Sequence, residues 1–160
     1  DYYKRNSVVN LNVDDELIHP QIIKAKNLNI ERVLGTNLFD VLIAEVTSGT
    51  VSARMITLLE DYIQPALVEW VTYSSILYFN YKITNKAVVK KSSDNSEASS
   101  LNEVNFLRQS IRDDAEYYTD RLAKYLCANE VLFPEYIEGN INDDDIVPSK
   151  KSFFGGIYLN

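Results

Sequence analysis

Residues 100–128 read SLNEVNFLRQSIRDDAEYYTDRLAKYLCA, and this stretch decides the fold class. Its start, Ser100-Leu101-Asn102-Glu103, fits a capping box: the Ser100 hydroxyl accepts the backbone N–H three residues on, while Glu103 reaches back. Val104, Leu107, Ile111, Ala115, Tyr118, Leu122 and Tyr125 then recur at spacings of three and four. That is one apolar stripe sustained over about six turns of 3.6 residues. Arg108, Asp114, Asp120, Arg121 and Lys124 fall on the wet side, and Asp120 precedes Lys124 by one favourable turn. The spacing predicts a helix over 101–128.

Upstream the same period returns. Residues 1–17 mix Asn, Asp and Val without a helical repeat and read as an extended or loosely ordered arm. His19-Pro20 opens a helical stretch carrying Ile22, Ala25, Ile30, Val33 and Leu34, with Gly35 as its stop. Thr36 is the candidate N-cap of a second helix, whose broad face holds Leu38, Phe39, Leu42, Ile43 and Val46 before Thr47-Ser48-Gly49 closes it. From Ser52 a third pattern runs through Met55, Ile56, Leu59, Ile63, Leu67, Trp70 or Val71, Ser74, Leu77 and Tyr78. Pro65 lies inside it, removes a backbone donor and predicts a kink or break at Tyr62–Gln64. Its aromatic content, Trp70, Tyr73, Tyr78, Phe79 and Tyr81, marks it as the most buried element.

Residues 82–100 change character. Ile83 to Val89 is β-branched and can form a short extended arm, and the Ser-rich run from Lys90-Lys91 to Ser100 has no packing face. This excursion reads either as a solvent loop or as an arm that touches a neighbouring subunit through Ile83, Val88, Val89, Lys90 and Lys91. Pro134 ends the helical region by biasing Phe133 away from α. An acidic linker, Asn142-Asp143-Asp144-Asp145, leads to an apolar tail containing Phe153, Phe154, Ile157, Tyr158 and Leu159. Such a tail needs burial in its own core or against a partner, and the partner is favoured. The expected organisation is an N-terminal arm (1–17), a helical domain (18–137, with the loop or arm at 83–100) and a linker with tail (138–160). The expected fold class is all-α, a small bundle of four to five helices with a long polar loop and an extended C-terminal tail.

Composition narrows the function classes. A chain of 160 residues that is 46% hydrophobic can build one core, which excludes wholesale disorder. One Cys excludes an internal disulfide, and one His removes most of the usual acid–base and metal vocabulary. Net charge −7 with no concentrated basic face argues against gripping duplex DNA and suits a surface that lets it pass. The start lacks the apolar segment of a signal peptide, and the longest apolar run, 66–79, is interrupted by Glu69, Thr72, Ser74 and Ser75. The expectation is a protein made soluble inside the cell, with no membrane partner.

Candidate chemistry is sparse. The glycines fit neither a P-loop nor a dinucleotide fingerprint. Cys127 lacks a nearby base in sequence, and His19 reads as a helix-entry residue. Asp143-Asp144-Asp145 and Asp14-Asp15-Glu16 offer oxygen ligands without an EF-hand register. Asp113, Asp114 and Glu116 serve acid–base work only if a cleft desolvates them. No catalytic residue, metal or cofactor is expected. Eleven tyrosines are enough to furnish interfaces, although Tyr73, Tyr78, Tyr118 and Tyr125 read as core.

The stretch Ile30-Glu31-Arg32-Val33-Leu34-Gly35-Thr36-Asn37-Leu38-Phe39-Asp40-Val41-Leu42 resembles the "LLG-T-x-L-[FY]-D-x-L" helix junction of phage head–tail connector proteins. Asp61-Tyr62-Ile63-Gln64-Pro65-Ala66-Leu67 is similar to the "YI-x-PAL" entry to their central helix. Ile83-Thr84-Asn85-Lys86-Ala87-Val88-Val89, Tyr125-Leu126-Cys127 and Phe133-Pro134-Glu135-Tyr136 continue the likeness over roughly residues 18–137. It comes nearest to the connector or ring proteins of phages of Bacteroides-type hosts, crAss-like phages included. The resemblance implies a structural virion protein of the neck, assembled in the host cytoplasm as a dodecameric ring beneath the portal. Such a ring extends the DNA channel, lies near DNA without specific binding, and receives the tail or a further ring. Residues 83–100 would then contact sister subunits, and 146–160 the portal or adjacent ring, with Phe153, Phe154, Ile157, Tyr158 and Leu159 as anchors. The residues leave two other classes open: a helical adaptor or regulatory domain of a cellular complex, and a metal-dependent hydrolase using the acidic clusters.

Overall fold

In the computed structural model, which describes residues 2–7, 9, 13–83, 88–90, 101–136 and 145–148, the first long rod starts at Asp14. The Asp14 carboxylate accepts the N–H of Glu16 at 3.0 Å, and Asp15 and Glu16 complement the positive end of the helix. Helix α2 (Asp15–Ala25) therefore begins before the expected His19-Pro20, and Pro20 lies inside it. The rod continues through a π-helical turn (Lys26–Ile30) into α3 (Glu31–Leu34) and stops at Gly35. Helix α4 (Thr36–Ser48) follows and ends on left-handed Gly49. The Glu45 carboxylate then takes the N–H of Ser52 at 2.7 Å, tying α4 to the start of the next rod and holding Glu45 below its ordinary pKa.

That third rod is α5 (Ala53–Thr57), a second π-helical segment (Leu58–Ile63) and α6 (Gln64–Asn80). The disturbance expected as a kink or break at Tyr62–Gln64 takes the form of a widened helical turn, and the rod runs on through it. Pro65 has no N–H to return to the Asp61 carbonyl, and the Arg121 guanidinium of α7 (Leu101–Ala128) donates to it at 3.2 Å. Helix α6 packs between α2 and α7 and buries Ala66, Val68, Val71, Thr72, Ser75 and Ile76, whereas of its aromatics Trp70, Tyr73 and Phe79 are half-buried and Tyr78 is exposed. One core joins α3, α4, the π segment and the end of α7 around Leu34, Leu38, Leu58, Leu122, Leu126 and Phe133. A second joins Tyr3, Ile18, Ala25, Val68 and Val71.

Tyr3 belongs to a short helix, α1 (Tyr2–Asn6), so the expected extended or loosely ordered arm is partly folded onto the bundle. Its hydroxyl lies 3.1 Å from the Thr72 Oγ1, and Thr72 spends its own proton on the Val68 carbonyl at 2.8 Å, which makes Tyr3 the donor. Lys4 fixes the same turn by donating to the Val13 carbonyl at 2.6 Å and pairing with Asp15 at 2.8 Å. The stripe on α7 is also shifted: Leu107 is 51% exposed, while Leu126, outside the expected stripe, is fully buried. Arg108 stacks its guanidinium 4.2 Å above Tyr73 one position along, and the seam drifts around the helix. Of the tyrosines, Tyr3 and Tyr136 are buried, whereas Tyr73, Tyr118 and Tyr125 are half-buried and Tyr78 is exposed.

The protein is all-α, a small bundle of five helical rods among the described residues. One departure is a short antiparallel hairpin after α6, β1 (Tyr81–Ile83) with β2 (Val88–Lys90), in register Tyr81 to Lys90, Lys82 to Val89 and Ile83 to Val88. Short β-branched segments that close on each other satisfy their backbone groups locally. A 3₁₀ turn (Pro134–Tyr136) packs against α4 and completes the described elements.

Candidate functional site

The α3–α4 junction holds a segment that is remote in sequence. Gly35 has φ 75° and ψ 155°, a conformation essentially restricted to glycine. With no capping side chain there, the first amide of α4 finds its acceptor elsewhere: the Thr36 N–H donates to the Ile146 carbonyl at 3.0 Å. The Ile146 N–H donates back to the Thr36 hydroxyl oxygen at 2.9 Å. Thr36 is therefore not the N-cap that its sequence position suggests. It is half of a two-way clip. A Cβ on Gly35 would stand 2.7 Å from both Cγ and Cδ of Pro148, so only hydrogen leaves room for the clipped strand.

A second feature follows α7. Asn129 N–H donates to the Tyr125 carbonyl at 3.1 Å, its side chain donates to the same oxygen at 2.9 Å, and Leu132 N–H returns to the Asn129 carbonyl at 2.9 Å. Arg54 reaches across from α5 with a forked pair of bonds to Glu135, 2.6 and 2.8 Å, and a third to the Leu132 carbonyl at 2.6 Å. The guanidinium holds the Glu135 carboxyl below its ordinary pKa. Phe133 is fully buried beneath it. The turn is thus rigid, and its tip presents Val131, 95% exposed, with Leu132 half-exposed.

The third feature is an open groove of about 310 Å³ between the first rod and α7. Leu28 and Asn29 come from the π turn, Arg32 and Val33 from α3, and Arg112, Glu116, Thr119, Asp120 and Ala123 from α7. Trp70 of α6 also lines it, held by an Nε1–H bond to the Thr119 Oγ1 at 2.8 Å, while Thr119 donates to the Ala115 carbonyl at 2.7 Å. Arg112 and Glu116 pair along the helix at 2.9 Å. The aromatic content of its segment marks Trp70 for burial, and the structure leaves it half-buried between the second core and the groove. The signal that could have exposed the groove is the polar set Arg112, Glu116 and Thr119 on the face of α7 next to its apolar seam.

Of the expected site residues, the structure describes only those of the hairpin, where Ile83 pairs with Val88. Ile83, Val88, Val89 and Lys90 lie in the hairpin, whereas Lys91 and the anchors Phe153, Phe154, Ile157, Tyr158 and Leu159 lie outside the described residues. The tail's root, Asp145–Pro148, is clipped to the chain's own α4. As for chemistry, His19, Asp113 and Asp114 are exposed. Cys127 is exposed as well, 3.9 Å from the Tyr136 hydroxyl, and burial followed by that thiol pushes Tyr136 far above its ordinary value. Glu69 on α6 is raised by burial and by the Asp114 carboxylate. Among the described residues no three His, Cys, Asp or Glu converge as a metal site, and no single helix is long and apolar enough to cross a membrane.

These features define a small all-α protein with a self-clipped tail root, a rigid apolar knuckle and an open groove. Residues 30–146 match the family described as "Family of unknown function (DUF6712)", and the chain belongs to that family. The matched region starts at Ile30, buried in the main core, and closes at Ile146, the residue that caps α4. No curated protein and no solved structure matches the chain.

Proposed function

We propose that the chain is a structural, non-enzymatic subunit of a phage head–tail connector, forming a ring below the portal that extends the DNA channel. The observation that carries this reading is the clip at Gly35–Thr36. It lies within the junction motif that resembles those connectors, and it pins Ile146–Pro148 against the start of α4. Identical subunits would then hold the root of the anchoring tail at the same place in every copy around a ring. The π segment Leu58–Ile63 overlaps the start of the second motif and leads into α6. Net charge −7 per copy, repeated around a ring, makes a strongly negative assembly over which DNA slides without adhering. In this reading Phe153, Phe154, Ile157, Tyr158 and Leu159 fill apolar pockets on the portal or the next ring, and the hairpin that includes Val88 and Val89 touches the sister copy.

The test is co-assembly with portals viewed by negative stain. The full chain is expected to form rings at the neck with rotational symmetry. Deleting 152–160 should leave the far-UV helical signal and the melting curve in place while abolishing decoration of portals. A truncated chain that still builds intact necks removes the anchoring role, and a full chain absent from necks removes the connector reading.

A further inference from the structure

We infer that the knuckle of one copy seats in the Trp70 groove of a second copy, as a head-to-tail contact. This rests on the ring reading above and names the surfaces that would join its subunits. The knuckle and the groove are different patches of one molecule, so the contact is heterologous and a pair of copies keeps one knuckle and one groove unfilled. Val131 is the most exposed large apolar side chain among the described residues, yet it sits on a turn clamped by Arg54, Asn129 and buried Phe133. A solvent loop has no need of that rigidity. A binding knob does, because ordering it beforehand removes an entropic cost of association.

The groove offers the complement. Its volume is at the small end of the roughly 300–1,000 Å³ range of sites that take small ligands, which suits one or two aliphatic side chains. Leu28, 59% exposed, and Trp70 give it apolar walls. Leu28 stands on a π turn, a distortion that recurs at functional sites because it swings side chains out of the ordinary helical register. Charge favours one orientation: the knuckle carries exposed Glu130 beside Val131, the first-rod rim of the groove carries exposed Arg32, and the α7 wall carries the paired Arg112 and Glu116 with Asp120, so Glu130 is drawn to the Arg32 side. Seating the knuckle there covers both apolar patches and brings Glu130 to Arg32.

Trp70 is the sole tryptophan, so its emission reports on the groove directly. Sedimentation and Trp70 emission of the full chain are followed across concentration. The mass is expected to rise past the dimer while the emission moves to the blue over the same range. Val131→Asp and, separately, Leu28→Asp should each weaken association by at least about tenfold, as loss of a buried anchor does, with the helical signal and melting temperature kept. Mixing the two variants should give pairs and nothing larger, because each retains the surface the other lacks. Glu130→Arg with Arg32→Glu in the same chain should restore what either change alone loses. A Val131→Asp chain that associates like the parent overturns the contact, as does a parent that stops at a dimer or stays monomeric with constant Trp70 emission. Val131→Asp chains that still form normal rings on portals sink this contact while leaving the connector reading intact. Chains that pair through this contact but never decorate portals do the reverse.

Discussion

Replacing Gly35 by Ala tests the tail clip at its narrowest point. Two penalties meet there. At φ 75° and ψ 155° a Cβ imposes backbone strain of about 1–3 kcal/mol. The same Cβ would lie 2.7 Å from Pro148 Cγ and Cδ and 3.1 Å from the Ile146 carbonyl oxygen, so the clipped strand must move away. Its departure forfeits the two hydrogen bonds between Thr36 and Ile146, each worth about 0.5–1.5 kcal/mol and near the lower end here because Ile146 is exposed to water. A loss of about 2–4 kcal/mol is expected in urea unfolding, together with faster hydrogen exchange at the Thr36 amide. Pro148→Ala in the same chain separates the terms: it relieves the collision, recovers part of the loss and leaves the backbone strain. A Gly35→Ala protein within about 0.5 kcal/mol of the parent, with the Thr36 amide still protected, would falsify both the strain and the clip.

Arg54→Ala removes the fork to Glu135 and the bond to the Leu132 carbonyl, and is expected to cost about 1–2 kcal/mol, the pair being partly solvated. Because Arg54 holds Glu135 below its ordinary 4.5, that stabilisation is complete above about pH 4.5 and fades as pH falls through the lowered folded value. Urea titrations against pH should show a drop in the parent that flattens in the variant. Glu69→Gln has the opposite sign. Burial and Asp114 raise the Glu69 pKa, so the folded state keeps a proton that the unfolded chain releases, and stability falls as pH rises through the folded value. The variant should be more stable than the parent at pH 7, with no difference once both states are protonated in acid; a parent that is the more stable at pH 7 contradicts the assignment.

The α7 stripe shows how far periodicity reaches. Val104, Ile111, Ala115 and Leu122 are buried as their spacing demands, because a helix must hide whatever it repeats on one side. Leu107 and Leu126 exchange fates because the neighbours of α7 change along its length, and a one-dimensional pattern holds no record of them. Pro65 was legible as a disturbance, yet its form, a π segment relieved by Arg121, needed a donor 60 residues away in sequence. Tyr3 escaped notice because a single buried side chain in a polar arm leaves no period.

The same division holds for the candidate site. Residue type and spacing by themselves determined that this chain is helical, where its main rods run, and that Gly35 ends one of them. Those properties follow from short-range forces: caps, φ/ψ limits and the need to bury a repeating face. Only the tertiary structure decided that Gly35 makes room for Pro148, that Thr36 exchanges hydrogen bonds with a residue 110 positions on, and that Arg54 locks a turn 81 positions from it. Such pairings depend on where the completed core places distant backbone, and no local preference encodes that placement.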